Sequence, residues 1–139
     1  MENINKYIKL GITTIATGAT WFFGAWDTAL SILLLFMVAD YISGVVNGFI
    51  NKKLSSDIGY RGIAKKGGIL VVLIIGVSLD RLLNDGTWVF RTLVAYWYIA
   101  NEGISLLENL GAIGVPIPPQ ILDVLIQLKE GGKKEIKSN

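Results

Sequence analysis

The sequence predicts an all-α integral membrane protein, a single domain over residues 1–139 with four, alternatively three, transmembrane helices as two hairpins plus a C-terminal amphipathic helix. Three observations predict it. Hydrophobic residues make up 52% of the chain and charged residues only 17%, with a mean hydropathy of +0.52, too apolar for an ordinary soluble domain of this length. Four apolar stretches, residues 8–26, 28–50, 67–83 and 88–107, each approach the ~20 residues that a spanning helix needs. The segments joining them alternate in charge, and in membrane proteins that sorting carries more information than the net charge of +2.

The first stretch is the weakest, because Thr13, Thr14, Thr17, Gly18 and Thr20 dilute it. Helical hydroxyls can bond back to their own carbonyls. A cleaved signal peptide fits poorly, since the start is barely basic and no A-x-A site follows. In the three-span alternative this stretch lies on the membrane or enters it only transiently. Between the first two stretches there is only Trp26-Asp27, whereas "NKKLSSDIGYRGIAKK" after the second carries Lys52, Lys53, Arg61, Lys65 and Lys66 against Asp57. "NDGT" after the third is an acidic turn. The positive-inside rule then places the basic loop, the tail and both termini in the cytoplasm, with Lys52, Lys53, Arg61, Lys65 and Lys66 forming a lipid-facing basic loop against anionic headgroups. Trp21, Trp26 and Trp88 fall near the outer ends of their stretches, as interfacial anchors do. Residues 118–130 suit an amphipathic helix that begins at Pro118-Pro119, too short to span and fitted to an interface or a partner. Residues 131–139 form a basic tail with Lys133, Lys134 and Lys137.

Two carboxylates fall deep inside these stretches. On a helix, Asp40 shares a small, polar face with Ser43, Gly44, Asn47 and Gly48, and Gly44 with Gly48 makes a G-x-x-x-G packing motif. The fourth stretch carries Arg91, Ala95, Tyr98, Glu102, Ser105 and Asn109 on one stripe. At ~1.5 Å rise per residue, Asp40 lies ~18 Å and Glu102 ~21 Å from the outer ends of their helices, so the two share a level. Asp80 falls near the depth of Arg91, which predicts an Asp80–Arg91 pair. A charge at mid-bilayer costs about 2.5–3.5 kcal/mol on insertion scales, so the carboxylates need water, a proton or a partner. Three explanations follow: protonated groups hydrogen-bonded between helices, the lining of an aqueous path built by several subunits, or a proton or cation site in a transporter. The last is disfavoured, since four short spans without an inverted repeat give little scaffold for alternating access.

Histidine and cysteine are absent, which removes the usual transition-metal ligands, thiol nucleophiles and the commonest general base. "KKGG" and "EGGKKE" lack the spacing of a phosphate loop. Asp40 with Glu102 could imitate a hydrolytic dyad, but no further signature accompanies them. The sequence therefore predicts no enzyme, no cofactor, no metal, no nucleic acid and no small-molecule substrate.

"KKLSS", Asp40-x-x-x-Gly44, the Gly62, Lys65, Lys66 group and above all "NEGISLLENLGAIGVPIP", with Glu102, Ser105, Glu108, Asn109, Gly114, Pro116 and Pro118, resemble the toxin-secretion/phage-lysis holins of Gram-positive bacteria and their phages. The resemblance extends from about Leu33 to Lys129. It implies a homo-oligomer in the bacterial cytoplasmic membrane that opens lesions through which a partner endolysin, or a toxin, escapes. The rival readings are a small multi-spanning ion channel or transporter subunit and a membrane-anchored scaffold acting through its C-terminal helix.

Overall fold

The computed structural model describes residues 1–83, 85 and 87–138, with side chains as far as Gly131. Five helices follow in order: α1 (Glu2–Phe23), α2 (Thr28–Ile50), α3 (Ser56–Leu83), α4 (Val89–Ala112) and α5 (Pro119–Ser138). Each apolar stretch seen in the sequence is largely helical: α2 matches residues 28–50, α1 starts earlier and stops at Phe23, short of residue 26, α3 starts earlier, and α4 runs on to Ala112. The largest extension is in α3, which starts at Ser56 rather than near 67. Ser55 Oγ accepts the Ile58 N–H at 3.3 Å, and Asp57 lies in the first turn, where a carboxylate favours the helix N-terminus. Arg61, Lys65 and Lys66 therefore stand on a helix and not in a loop. The backbone of the basic tail is also helical to Ser138, while the side chains of Lys133, Lys134 and Lys137 lie outside the described residues.

Two helices, α2 and α3, are long and apolar enough to cross a membrane by length and composition. Charge excludes the others from that pair: α4 carries Arg91, Glu102 and Glu108, and α1 mixes Lys6 and Lys9 with its threonines. On α2, Leu35, Val38, Ile42, Val46 and Phe49 form an exposed stripe at helical spacing. A contiguous apolar face of that length suits lipid better than water.

The core joins α2, α3 and α4 through Leu30, Leu33, Met37, Ile69, Leu73, Ala95 and Ile99. The α2–α4 interface is the most extensive, whereas α2 and α3 touch little despite being neighbours in sequence. α1 buries no residue and packs only lightly, on α3. α5 turns back along α4 after a left-handed Gly114, with Leu125 against Gly103, Leu128 on the core and Lys129 Nζ 5.9 Å from the Trp97 ring. Its apolar face is thus only partly covered by α4, and Ile121, Val124 and Ile126 stay exposed.

Candidate functional site: two charged clusters

The first cluster gathers the carboxylates that lie deep in the apolar stretches. Lys66 Nζ donates to Asp40 Oδ2 at 2.7 Å and to Glu102 Oε2, so one ammonium from α3 bridges α2 and α4. Asn109 Nδ2 donates to Asp40 Oδ1 at 3.1 Å and to Ser43 Oγ at 3.1 Å, while the Ser43 hydroxyl donates to the Asp40 carbonyl at 2.9 Å. Gly44 lies beside this contact, where a Cβ would sit 3.4 Å from Asn109 Nδ2, an ordinary van der Waals distance. Glu102 is almost fully buried, and Asp40 and Lys66 are partly buried. The partner that these carboxylates require is a lysine. Lys66 is thereby corrected from a lipid-facing loop residue to an inward-facing helical one, and the extension of α3 is the reason. Lys52, Lys53, Arg61 and Lys65 do remain exposed.

Other residues of the two predicted stripes lie beside this cluster. Asn47 Oδ1 accepts from Asn51 Nδ2 at 2.5 Å, Gly48 faces Leu54, and Tyr98 stacks edge-on against Trp97 with centroids 4.9 Å apart. Ser105 is half-buried one turn beyond Glu102. A cleft of about 620 Å³ opens between α2 and the first half of α3, with Asp40 and Lys66 in its wall. A second, of about 480 Å³, lies between α3 and α4 with Glu102 in its wall. The Lys66 bridge separates them.

The second cluster sits at the opposite ends of the same helices. The Arg91 guanidinium is buried and donates to four oxygens: Phe23 O at 2.6 Å, Ala25 O at 2.7 Å, Asp27 Oδ2 at 2.7 Å and Asp27 Oδ1 at 3.3 Å. Asp80, fully buried, accepts the backbone N–H groups of Val89, Phe90 and Arg91 at 2.8–3.0 Å and so caps α4. The Asp80–Arg91 pair predicted from depth is therefore corrected. Asp80 takes the main chain of Arg91, and the side chain of Arg91 goes to Asp27. Two glycines admit this geometry: Gly24 adopts φ +77°, and a Cβ there would come within 2.8 Å of Arg91 Nε, while a Cβ at Gly76 would sit 3.3 Å from the Arg91 backbone. Asp27 also caps α2, accepting the Leu30 N–H at 2.9 Å. The hydrogen bond from Arg91 holds the Asp27 carboxyl below its ordinary range, with the Leu30 N–H adding to that and partial burial opposing it. Arg81 lies nearby, donating to the Trp21 carbonyl and stacking 4.8 Å from the Trp21 ring.

Sequence reasoning gave Lys66 a different role and missed Asp27, Gly24 and Gly76. Asp27 had a usable signal, an aspartate directly before a helical run. Neither cluster has a nucleophile beside a base, and among the described residues no group of three His, Cys, Asp or Glu could hold a metal ion. What the first cluster can do is hold three helices together through one flexible cation.

The bacteriophage holin family matches residues 17–130 of the chain. An uncharacterized 14.9 kDa protein in the nagH 3' region of Clostridium perfringens is 59% identical over 92% of this chain and 97% of its own length. An uncharacterized protein of Clostridium perfringens strain 13 is 55% identical over 99% of this chain and 100% of its own. A probable holin of Bacillus phage phi105 is 36% identical over 69% of this chain and 70% of its own. No solved structure matches.

Proposed function

Because the chain belongs to the bacteriophage holin family, a family of non-enzymatic membrane proteins, we propose that it accumulates in the host cytoplasmic membrane and oligomerises into lesions that release an endolysin or a toxin. In this reading α2 and α3 span the bilayer, α1 and α4 complete two hairpins, and both termini lie in the cytoplasm with the 51–66 segment.

The observation that carries the reading is the Lys66 bridge. Asp40 and Glu102 would be costly in lipid, yet one ammonium and Asn109 satisfy them within a single subunit. A subunit closed in this way is stable at low density. Its polar faces, on α2 and α4, become a wet lining if Lys66 lets go in a crowded assembly. Cavity walls of that kind tolerate ionised groups that bare lipid does not.

The test is co-expression with an endolysin lacking its own export signal, following culture density and release of a cytoplasmic reporter protein. Sudden release of the reporter is the expected result. Leakage of ions without the reporter would replace this reading with the channel alternative.

A further inference from the structure

We propose that the cleft between α2 and α3 seats the phosphate headgroup of an anionic glycerophospholipid, with Lys53 and Lys65 as its cationic contacts. The inference rests on the reading that α2 and α3 cross the bilayer, and three features of the cleft support it.

The first is charge. Lys53, Lys65 and Lys66 line the cleft against the single carboxylate of Asp40. Lys66 is already committed to Asp40 and Glu102, while Lys53 and Lys65 form no ion pair among the described residues. Two cations are thus left to face an empty volume of about 620 Å³.

The second is position. Lys65 lies eighteen residues from Leu83 along α3, or about 27 Å at ~1.5 Å per residue, close to the ~30 Å thickness of a hydrocarbon core. A lysine stem there snorkels readily to the phosphate plane. Lys53 is held at the same end by the chain turn after α2, in which Lys52 takes φ +53° and the Lys53 N–H donates to the Gly48 carbonyl at 2.8 Å.

The third is the character of the walls. Val45, Leu54, Ile58 and Ala112 make them apolar beside the lysines. Gly59 and Gly62 leave room for the Tyr41 ring, which reaches over from α2. A small soluble anion would use the lysines and leave the apolar walls wet. A lipid uses both, with its phosphate at the lysines and the start of its acyl chains along the walls.

The experiment uses the full chain, which has no native cysteine, carrying Val45→Cys labelled with a bimane fluorophore on the apolar wall of the cleft. It is reconstituted in phosphatidylcholine vesicles in which a fixed minor fraction is brominated phosphatidylglycerol or brominated phosphatidylcholine. Phosphatidylglycerol should be enriched beside the label by about fivefold per lysine, and Lys53→Gln/Lys65→Gln should bring the two quenchers to parity. Lys6→Gln/Lys9→Gln removes the same charge from α1, outside the cleft, and should leave the preference intact. Equal quenching by both lipids in the unsubstituted cleft overturns the seat alone, as does an equal loss in both double variants. Abolition of the preference by inorganic phosphate overturns it in favour of a soluble anion. No quenching by either bromolipid overturns the spanning reading on which the seat depends.

Discussion

Arg91 and Lys66 are each the cation of a cluster that ties three segments together, yet they are built to opposite specifications. Arg91 is a planar fork whose three nitrogens all have acceptors: two main-chain carbonyls and both oxygens of Asp27. Gly24 holds the chain turn close against the fork, since a Cβ there would come within 2.8 Å of Arg91 Nε. Lys66 is a point charge on a flexible stem, set between two carboxylates and beside an open cleft. The Arg91 cluster ties down chain turns; the Lys66 cluster ties helix faces. A knot of the first kind fixes a fold, whereas a clasp of the second kind can be undone without unravelling the helices that carry it.

The comparison breaks most visibly at Arg91. Arg91→Met removes four hydrogen bonds, two to main-chain carbonyls and two to Asp27, each worth about 1 kcal/mol or more and discounted at the half-exposed Asp27, so several kcal/mol are at stake. The variant should fail to accumulate in membranes, as read by immunoblot of the membrane fraction. Arg91→Lys keeps the charge but not the fork, so it should recover only part of the loss. If Arg91→Lys accumulates and unfolds in detergent like the wild type, fork geometry is irrelevant and the contrast with Lys66 disappears.

At Lys66 the expected loss is smaller. Lys66→Met removes two charge-assisted hydrogen bonds, each worth about 1.5–3 kcal/mol, but the clefts beside Asp40 and Glu102 let water reach the carboxylates that remain, which offsets most of that loss. The protein should still insert and should lyse cells earlier than wild type. Adding Asp40→Asn and Glu102→Gln to Lys66→Met replaces the ionic clasp by neutral hydrogen bonding and should restore much of the stability. Wild-type lysis timing and stability in Lys66→Met would make the clasp a passenger.

Gly24→Ala sharpens the picture from the backbone side. With φ +77° and ψ −160°, Gly24 occupies a region nearly closed to other residues, so a methyl group there should cost about 1–3 kcal/mol. The same substitution at Gly67, a helical glycine of α3 with open space beside it, should not destabilise. Thermal unfolding of the two purified variants in detergent measures the difference, and equal midpoints would mean that the turn at Gly24 relaxes.

The two clusters also differed in how legible they were. Hydropathy windows locate apolar helix interiors, and they found all four apolar stretches. They cannot see a helix that continues through charged residues, which is why the first three turns of α3 read as loop and Lys66 as lipid-facing. The equal depth of Asp40 and Glu102 was legible, because rise per residue is a one-dimensional quantity. Which cation would reach them was not, since Lys66 is 26 residues from one and 36 from the other. Depth alone likewise suggested Asp80 for Arg91. The choice of Asp27 depends on two turns meeting in space and on whether Asp80 is already occupied by the N–H groups that open α4.

Acid should find the smallest of these effects, read here at Asp27. Arg91 lowers the Asp27 pKa in the folded chain, so the stabilising contribution is complete above the ordinary carboxylate pKa and is lost as pH falls through the depressed folded value. The window lies below about pH 4. Because the Asp27 side chain is 44% exposed, solvent screens the pair and the effect should be modest. Asp27→Asn keeps the cap on α2 through its side-chain oxygen and still accepts one hydrogen bond from Arg91, but it has no proton to gain. The variant should therefore unfold at a slightly lower temperature than wild type at neutral pH, and the gap should close as both are acidified below about pH 4. Midpoints of the two proteins, measured in detergent across that range, decide it: a gap that stays constant to the lowest pH would mean that Asp27 serves the knot by its shape and hydrogen bonds, with its charge contributing nothing.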